Sequence, residues 1–222
     1  MDPPIDFDPS AANATVLIQG TYQAFVAKYT SAGTYVNAFR ISGTGARCEG
    51  SGITSDATGN IFVAGAFAGT VDLNPGAGTN NVTATSTTSD GFLVKYNSSG
   101  VYQSGFRFGN TGTTVVDDIV LNTNGNVLIA GQFAGTVDFD PSGSVNSMAS
   151  SAGNTFLATY TPTCTISSVT QIGSTIKNVD LEVASNGDVY LGAEFNGSAD
   201  FAPGASTFVV TGTSSDNLAY AR

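Results

Sequence analysis

The residues of this sequence best suited to chemistry are short groups of acidic side chains that recur next to turns. Calcium binds six to eight hard oxygen atoms and tolerates irregular geometry, so carboxylates at alternating positions of a turn suit this ion. Two copies of the group keep both carboxylates, which makes them the candidate calcium sites of the sequence. The four residues are Asp6, Asp8, Asp138 and Asp140.

The same acidic residues have a simpler interpretation, which needs no metal. Asp and Asn side chains in turns accept hydrogen bonds from nearby backbone N–H groups, especially before proline. Two further copies of the group are reduced, because Asp72 is followed by Asn74 and Asp200 has no acidic companion. The sequence therefore favours turn capping and no cofactor, with calcium as the alternative.

Other catalytic arrangements find little support. The 222 residues contain no histidine, which excludes His-dependent triads and imidazole zinc centres, and leaves Cys48 without a base to activate it. Asp117 and Asp118 are adjacent on a predicted strand, so we expect their carboxylates to point to opposite faces and to be solvated or to cap a hairpin. A hydrolase would need carboxylates from separate loops, which no local motif indicates. The sequence predicts a protein that is not an enzyme.

The elements that position these residues are internal repeats. The string GNIFVAGAFAGTVDLNPG at Gly59 returns as GNVLIAGQFAGTVDFDPS at Gly125 and as GDVYLGAEFNGSADFAPG at Gly187. Phe67, Phe133 and Phe195 mark the same point of each string, so the copies recur at a nearly constant interval. Self-similarity at a fixed period is the signature of a repeat architecture.

Each copy contains four predicted strands. In one copy they cover residues 48–56, 61–73, 91–96 and 101–108, with turns at 57–60, 74–76 and 97–100 and a Thr/Ser/Asn-rich connection after the second strand. The segment Ile61–Phe67 is mostly apolar, which is typical of a strand buried on both faces. No stretch has helical periodicity. The sequence predicts an all-β fold of four-stranded antiparallel β-propeller blades.

The chain resembles the secreted bacterial β-propeller repeats known as SBBP repeats. The resemblance rests on the motifs at Gly59–Gly76 and Gly125–Ser142 and on the element Asp90–Tyr96. Such repeats often carry a tryptophan in the fourth strand, where this chain has Phe39 and Phe106. The resemblance implies a propeller fold and little about activity, because fold does not fix function.

The copies predict incomplete blades at both ends. Residues 1–44 supply third and fourth strands, 45–110 and 111–173 form full blades, and 174–222 supply first to third strands. These amount to about three and a quarter blades, whereas propellers close with about four to eight. Several states of the chain would account for an incomplete ring. The chain is a piece of a longer propeller, it forms a two-chain ring or a head-to-tail filament with other copies, or it is a distorted monomer or another β fold.

Large apolar and aromatic side chains lie at both ends, and unpaired strands there would expose backbone groups to a neighbouring chain. We therefore predict that these ends mediate assembly of a homo-oligomer or head-to-tail polymer. The predicted assembly residues are Ile5, Phe7, Phe25, Tyr29, Phe208, Leu218 and Tyr220.

Composition restricts the partners. Seventeen acidic against seven basic residues give a formal net charge of −10, which argues against nucleic acid because binding it needs a basic surface. The opening residues have neither the basic nor the apolar region of a signal peptide, so for a secreted protein we expect a leader that was removed or lies upstream. No apolar run approaches the roughly 18 residues of a membrane span. Cys48 and Cys164 fit either one disulfide or two free thiols.

Together these features predict a non-catalytic structural or assembly protein, extracellular or on the cell surface, whose incomplete blades are completed by neighbouring chains. The alternatives are a ligand-binding propeller module, for a glycan or a protein, and a fragment of a longer surface propeller protein. For a glycan, Tyr22, Tyr35 and Tyr102 are the candidate stacking residues because they do not recur in the repeat.

Overall fold

A computed structural model describes residues 4–10, 12–16, 22–41, 43, 47–85, 88–202, 207–212 and 217–221. Every regular element among these residues is a β-strand, so the all-β prediction is confirmed. In this part of the chain there is also no helix with the length and apolar character needed to cross a membrane.

The strands are short at the amino-terminal end and longer in the middle of the chain. Their bounds are β1 Ile5–Asp6, β2 Thr15–Val16, β3 Ala24–Tyr29, β4 Tyr35–Ile41, β5 Arg47–Ser55, β6 Ile61–Ala68, β7 Thr70–Asp72, β8 Asn81–Thr83, β9 Asp90–Tyr96 and β10 Tyr102–Asn110. They continue with β11 Thr113–Leu121, β12 Val127–Asp138, β13 Ser147–Tyr160, β14 Ile166–Ser174, β15 Ile176–Val183, β16 Val189–Phe195, β17 Ser198–Asp200, β18 Val209–Thr211 and β19 Asn217–Ala221.

Antiparallel pairing divides most strands into three repeat units. Unit 1 has the order β5-β6-β9-β10, unit 2 has β11-β12-β13-β14, and unit 3 has β15-β16-β19. A short pairing of β10 with β12 joins units 1 and 2 into one curled, half-barrel sheet. The hairpin β3–β4 precedes unit 1.

The hydrophobic core lies between consecutive units. One cluster joins Phe62 and Ala64 of unit 1 to Ile119 and Val127 of unit 2. A second joins Leu128 of unit 2 to residues of unit 3, and a third joins the β3–β4 hairpin to unit 1. The prediction that Ile61–Phe67 is buried on both faces is confirmed, because Phe62, Val63, Ala64 and Phe67 are all at most 4% exposed. Each unit therefore needs a neighbour to cover its strands.

The prediction of one second strand over residues 61–73, followed by a turn and a loop, differs from the structure. In unit 1 it ends at Ala68, and β7 pairs with β8, which lies within the Thr/Ser/Asn-rich connection. Gly69 and Gly135 occupy the change of direction with φ values of 79° each, which a side chain would resist. Short β1–β2 and β17–β18 hairpins repeat this arrangement.

The first strand of every unit carries an irregularity at the same place. Its pairing with the second strand shifts between Gly50 and Gly52 in unit 1, between Val116 and Asp118 in unit 2, and between Lys177 and Asp180 in unit 3. A β-bulge of this kind bends a strand and turns side chains out of their usual alternation. β11 packs between β5 and β15, so the bulged strands of the three units are neighbours.

Candidate functional site

The recurring aspartates sit at the start of the small hairpin extensions, and each closes one of them. In all four copies, one carboxylate oxygen accepts hydrogen bonds from the backbone N–H groups two and eight residues further on. For Asp138 these donors are Asp140, at 3.1 Å, and Asn146, at 2.9 Å. The other three aspartates are Asp6, Asp72 and Asp200.

The second residue of each group also accepts a backbone hydrogen bond, but only from a residue within the turn. Asp8 and Asp140 accept hydrogen bonds from the backbone N–H two residues further on, each over 2.8 Å, and Asn74 does the same for Gly76. Hydrogen bonds from Ser142 lower the pKa of Asp140, and backbone hydrogen bonds from Ala14 and Asp8 lower that of Asp6. The turn-capping interpretation thus has its hydrogen bonds in every copy.

Calcium binding at Asp6, Asp8, Asp138 and Asp140 stays a prediction. Within the described part of the chain, no three or more His, Cys, Asp or Glu side chains come together as a metal-binding group. One oxygen of each of these four carboxylates already accepts a backbone hydrogen bond. An ion at these turns would therefore have to compete with the backbone N–H groups for that oxygen, or bind the second oxygen of each carboxylate.

A tyrosine fixes the same turn from the third strand. The hydroxyl of Tyr160 donates to the carbonyl oxygen of Phe139 over 2.9 Å, and that of Tyr96 donates to Leu73 over 2.8 Å. Tyr29 repeats the bond with Phe7 over 2.8 Å. Sequence reasoning missed this interaction, although the recurrence of a tyrosine at the end of the third strand was a signal for it.

Asp117 and Asp118 do not point to opposite faces, so that prediction is wrong. The Asp117 carboxylate accepts a hydrogen bond from the Val179 N–H, and that of Asp118 accepts one from the Leu181 N–H, over 3.0 and 2.8 Å. The bulge before Asp118 breaks the alternation, which directs both carboxylates to β15. Gln132 also donates to Asp117. Burial raises the pKa of Asp117, and these hydrogen bonds oppose that effect.

One further carboxylate is fully buried in unit 1. Asp90 forms an ion pair with Arg107 over 3.1 Å and accepts hydrogen bonds from the backbone N–H and hydroxyl of Thr85. Its other oxygen has no hydrogen-bond partner. Since Asp90 is completely inaccessible, the pair holds the start of the third strand to the fourth and offers no reacting group to solvent.

Cys48 and Cys164 are both free and buried, so the described structure contains the thiol alternative and no disulfide between them. Burial raises the pKa of Cys48 to about 12 and also raises that of Cys164. A thiol with a raised pKa is a poor nucleophile near neutral pH.

The predicted assembly residues lie in two separate places. At the amino-terminal end, Phe7 packs on Phe25 with ring centroids 4.8 Å apart. Ile5, Phe25 and Tyr29 are 42%, 55% and 43% exposed, and Phe208 near the other end is 65% exposed. Leu218 and Tyr220 belong to β19, whose backbone pairs with β16. The structure thus brings Phe7, Phe25 and Tyr29 together, through the ring contact and the Tyr29–Phe7 hydrogen bond, and leaves Phe208 apart.

The candidate stacking tyrosines each have a different neighbour. Tyr22 lies under the Arg47 guanidinium, while Tyr35 packs on Tyr29 and Tyr102 packs on Tyr96. A groove of about 520 Å³ lies elsewhere, between β2, β4 and the turn after β7. Its lining includes Phe39, Arg40, Asp72 and Asn74.

Comparison with known protein families and with curated proteins finds no match to this chain. The resemblance to secreted bacterial propeller repeats therefore rests on the motifs of the sequence alone.

Proposed function

We propose that this protein is a non-catalytic structural repeat protein built of β-propeller blades, which assembles with further copies of itself at the cell surface or outside the cell. The blades correspond to units 1 and 2, with unit 3 and the β3–β4 hairpin as incomplete blades. Four antiparallel strands per unit, packed face to face with the next unit, are what a propeller requires.

One observation carries the structural role. The acidic side chains that could have served chemistry are used to hold backbone: the four repeated aspartates each close a hairpin, and Asp117 and Asp118 fasten unit 3 to unit 2. Side chains that accept backbone hydrogen bonds in this way are held in one position. Residues used in this way support rigidity and contribute nothing to turnover.

The assembly role is supported by the uncovered ends of the fold. Phe25 and Tyr29 are 55% and 43% exposed, whereas the residues at the same repeat position in unit 1, Phe92 and Tyr96, are fully buried. Solvent-exposed aromatic groups on a strand edge are a common basis for association. The low charge content and acidic balance of the chain suit a secreted or surface protein.

The direct test is the size of the particle in solution. We expect light scattering coupled to gel filtration to give a mass that is a multiple of the 22.5 kDa chain, and negative-stain electron microscopy to show rings or rods. A folded monomer of 22.5 kDa at micromolar and higher concentrations would refute the assembly role.

A second candidate function is glycan binding. The observation in its favour is the 520 Å³ groove, whose lining combines Phe39 with the polar residues Arg40, Asp72 and Asn74. Sugars bind through stacking on aromatic rings combined with directed hydrogen bonds. Binding on a glycan array that Asn74→Ala, a change in the polar lining of the groove, abolishes would support this function, and no binding to any glycan would remove it.

A further inference from the structure

The contact between consecutive units has a fixed composition. We call the surface of the earlier unit its near side and the surface of the later unit its far side. Phe62 and Ala64 of unit 1 share a cluster with Ile119 of unit 2. Leu128 and Ala130 of unit 2 share one with Leu181 of unit 3. Between the first strands, a Cβ atom at Gly52 would lie 2.7 Å from the Cγ2 atom of Ile119, and Asp118 accepts the Leu181 N–H. Position 52 therefore meets position 119, and position 118 meets position 181.

Among the described residues, unit 3 has the equivalents of the near side of this contact, and no fourth unit packs on them. Register with the first strand makes Tyr190 equivalent to Phe62 and Leu128, and makes Asp180 equivalent to Gly52 and Asp118. Phe62 and Leu128 are 0% and 4% exposed, whereas Tyr190 is 39% exposed. Together with Gly192, Tyr190 and the exposed Asp180 line a hollow of about 400 Å³. We call this the outer face of unit 3.

In the described part of the chain, unit 1 has the equivalent of the far side, and it is preceded by the β3–β4 hairpin in place of a whole unit. Ile53 is equivalent to Ile119 and Leu181 because each pairs with the same position of the second strand. Ile119 and Leu181 are 2% and 5% exposed, whereas Ile53 is 56% exposed. It borders a groove of about 300 Å³ between β3 and β5, which also contains Lys28 and Tyr29. We call this the β3–β5 groove.

From these two half-contacts we infer that the outer face of unit 3 docks into the β3–β5 groove of a second copy of this chain, so that Asp180 of one copy meets Ile53 of the next. The inference rests on the proposed assembly function and names its interface. The carboxylate of Asp180 then accepts the Ile53 N–H, as Asp118 accepts the Leu181 N–H within one chain.

The strand edges and the charges of the two surfaces agree with this pairing. In unit 1 the ammonium of Lys95, on the third strand, lies 5.0 Å from the ring of Phe62 on the second. Lys28 holds the same place on β3, and docking brings it over Tyr190, beside the acidic Asp180 and Glu182. In unit 1 the second strand, β6, pairs with the third strand, β9, and in unit 3 the second strand, β16, pairs with β19. On docking, β3 of the second copy, which is also a third strand, replaces β19 at this edge of β16. Contacts of this kind between unlike surfaces give a ring if they close and a filament if they do not.

Point substitutions in the full chain test the interface. Ile53 and Tyr190 are both exposed within one chain, so Ile53→Asp and Tyr190→Asp should leave the fold intact, which circular dichroism verifies. Each is expected to reduce the mass measured by light scattering from a multiple of 22.5 kDa to that of a single chain. Val145→Asp is the matched control, because Val145 is 77% exposed and lies outside both surfaces, and it should leave the assembly unchanged.

Cross-linking tests the register. Asp180→Cys and Ile53→Cys chains, mixed under mild oxidation, are expected to form a disulfide-linked dimer, and Asp180→Cys mixed with Val145→Cys is not. The two native cysteines are buried and do not compete. The interface alone is overturned if the wild-type chain assembles, both aspartate variants assemble equally well, and the Asp180→Cys and Ile53→Cys chains form no cross-link. A wild-type chain that is always a monomer overturns the interface and the proposed function together.

Discussion

The carboxylate of Asp118 accepts a hydrogen bond from the backbone N–H of Leu181 over 2.8 Å, and this bond joins the first strands of units 2 and 3. The other oxygen of Asp118 accepts the N–H of Ile119 over the same distance. A single side chain thus fastens its own bulge and the next unit. It does so where β11 and β15, the first strands of units 2 and 3, pack together.

Asp118→Ala is expected to destabilise the protein by about 1–3 kcal/mol, because it leaves the Leu181 N–H without its acceptor in a partly buried contact. Asp118→Asn, which keeps one acceptor oxygen, should lose roughly half as much. Urea unfolding measures both values. Val145→Ala, at a residue that is 77% exposed, serves as the surface control, and an Asp118→Ala variant no less stable than that control would contradict the role.

The tyrosine hydrogen bond to the hairpin carbonyl should matter in proportion to its burial. Tyr160→Phe leaves the Phe139 carbonyl unpaired in a fully buried site, and we expect a loss of about 1–3 kcal/mol. Tyr29→Phe removes the equivalent bond at a residue that is 43% exposed, where water replaces the hydroxyl, and should change stability by less than about 0.5 kcal/mol. Equal losses for the two variants in thermal or urea unfolding would show that burial does not decide the effect.

The repeated aspartates should act through hydrogen bonds to backbone. Asp138→Ala removes the acceptor for Asp140 and Asn146, with an expected cost of about 0.5–2 kcal/mol, as for other side chains that cap backbone N–H groups. Asp138→Asn keeps an oxygen in the same place and should cost less. We also expect the same melting temperature in calcium and in chelator. A calcium-dependent rise that Asp138→Asn abolishes would instead establish the calcium site.

The acid sensitivity of the fold should include a contribution from Asp56 at the β5–β6 turn. Burial raises its pKa, but hydrogen bonds from Thr58 and Asn60 prevail and lower the pKa from 3.8 to about 2. A carboxylate whose pKa is lower in the folded state stabilises fully above its unfolded value and loses that effect as pH falls through its folded value. The stability difference between wild type and Asp56→Ala should therefore shrink between pH 3.8 and about 2. A difference that stays constant over this range, measured by urea unfolding, would contradict the assignment.

Much of the fold follows from local pattern. The apolar run Ile61–Phe67, the Asn/Gly turns and the absence of helical periodicity predicted strands that the structure contains. The β7–β8 hairpin was not predicted, because its residues are polar and its pairing depends on Asp72 and on the backbone turn at Gly69. Short polar strands have no periodicity that distinguishes them from a loop.

The sequence by itself determined that equivalent positions recur, because a repeated string places the same side chains at the same points of each unit. It could not determine which copy of a position is covered. Phe62, Leu128 and Tyr190 share one place in the repeat, yet only Tyr190 is substantially exposed. The tertiary structure alone decided this, since burial depends on the neighbouring unit and not on the residue. It also decided the direction of Asp117 and Asp118, because one extra residue in a bulge reverses the alternation that a regular strand would impose.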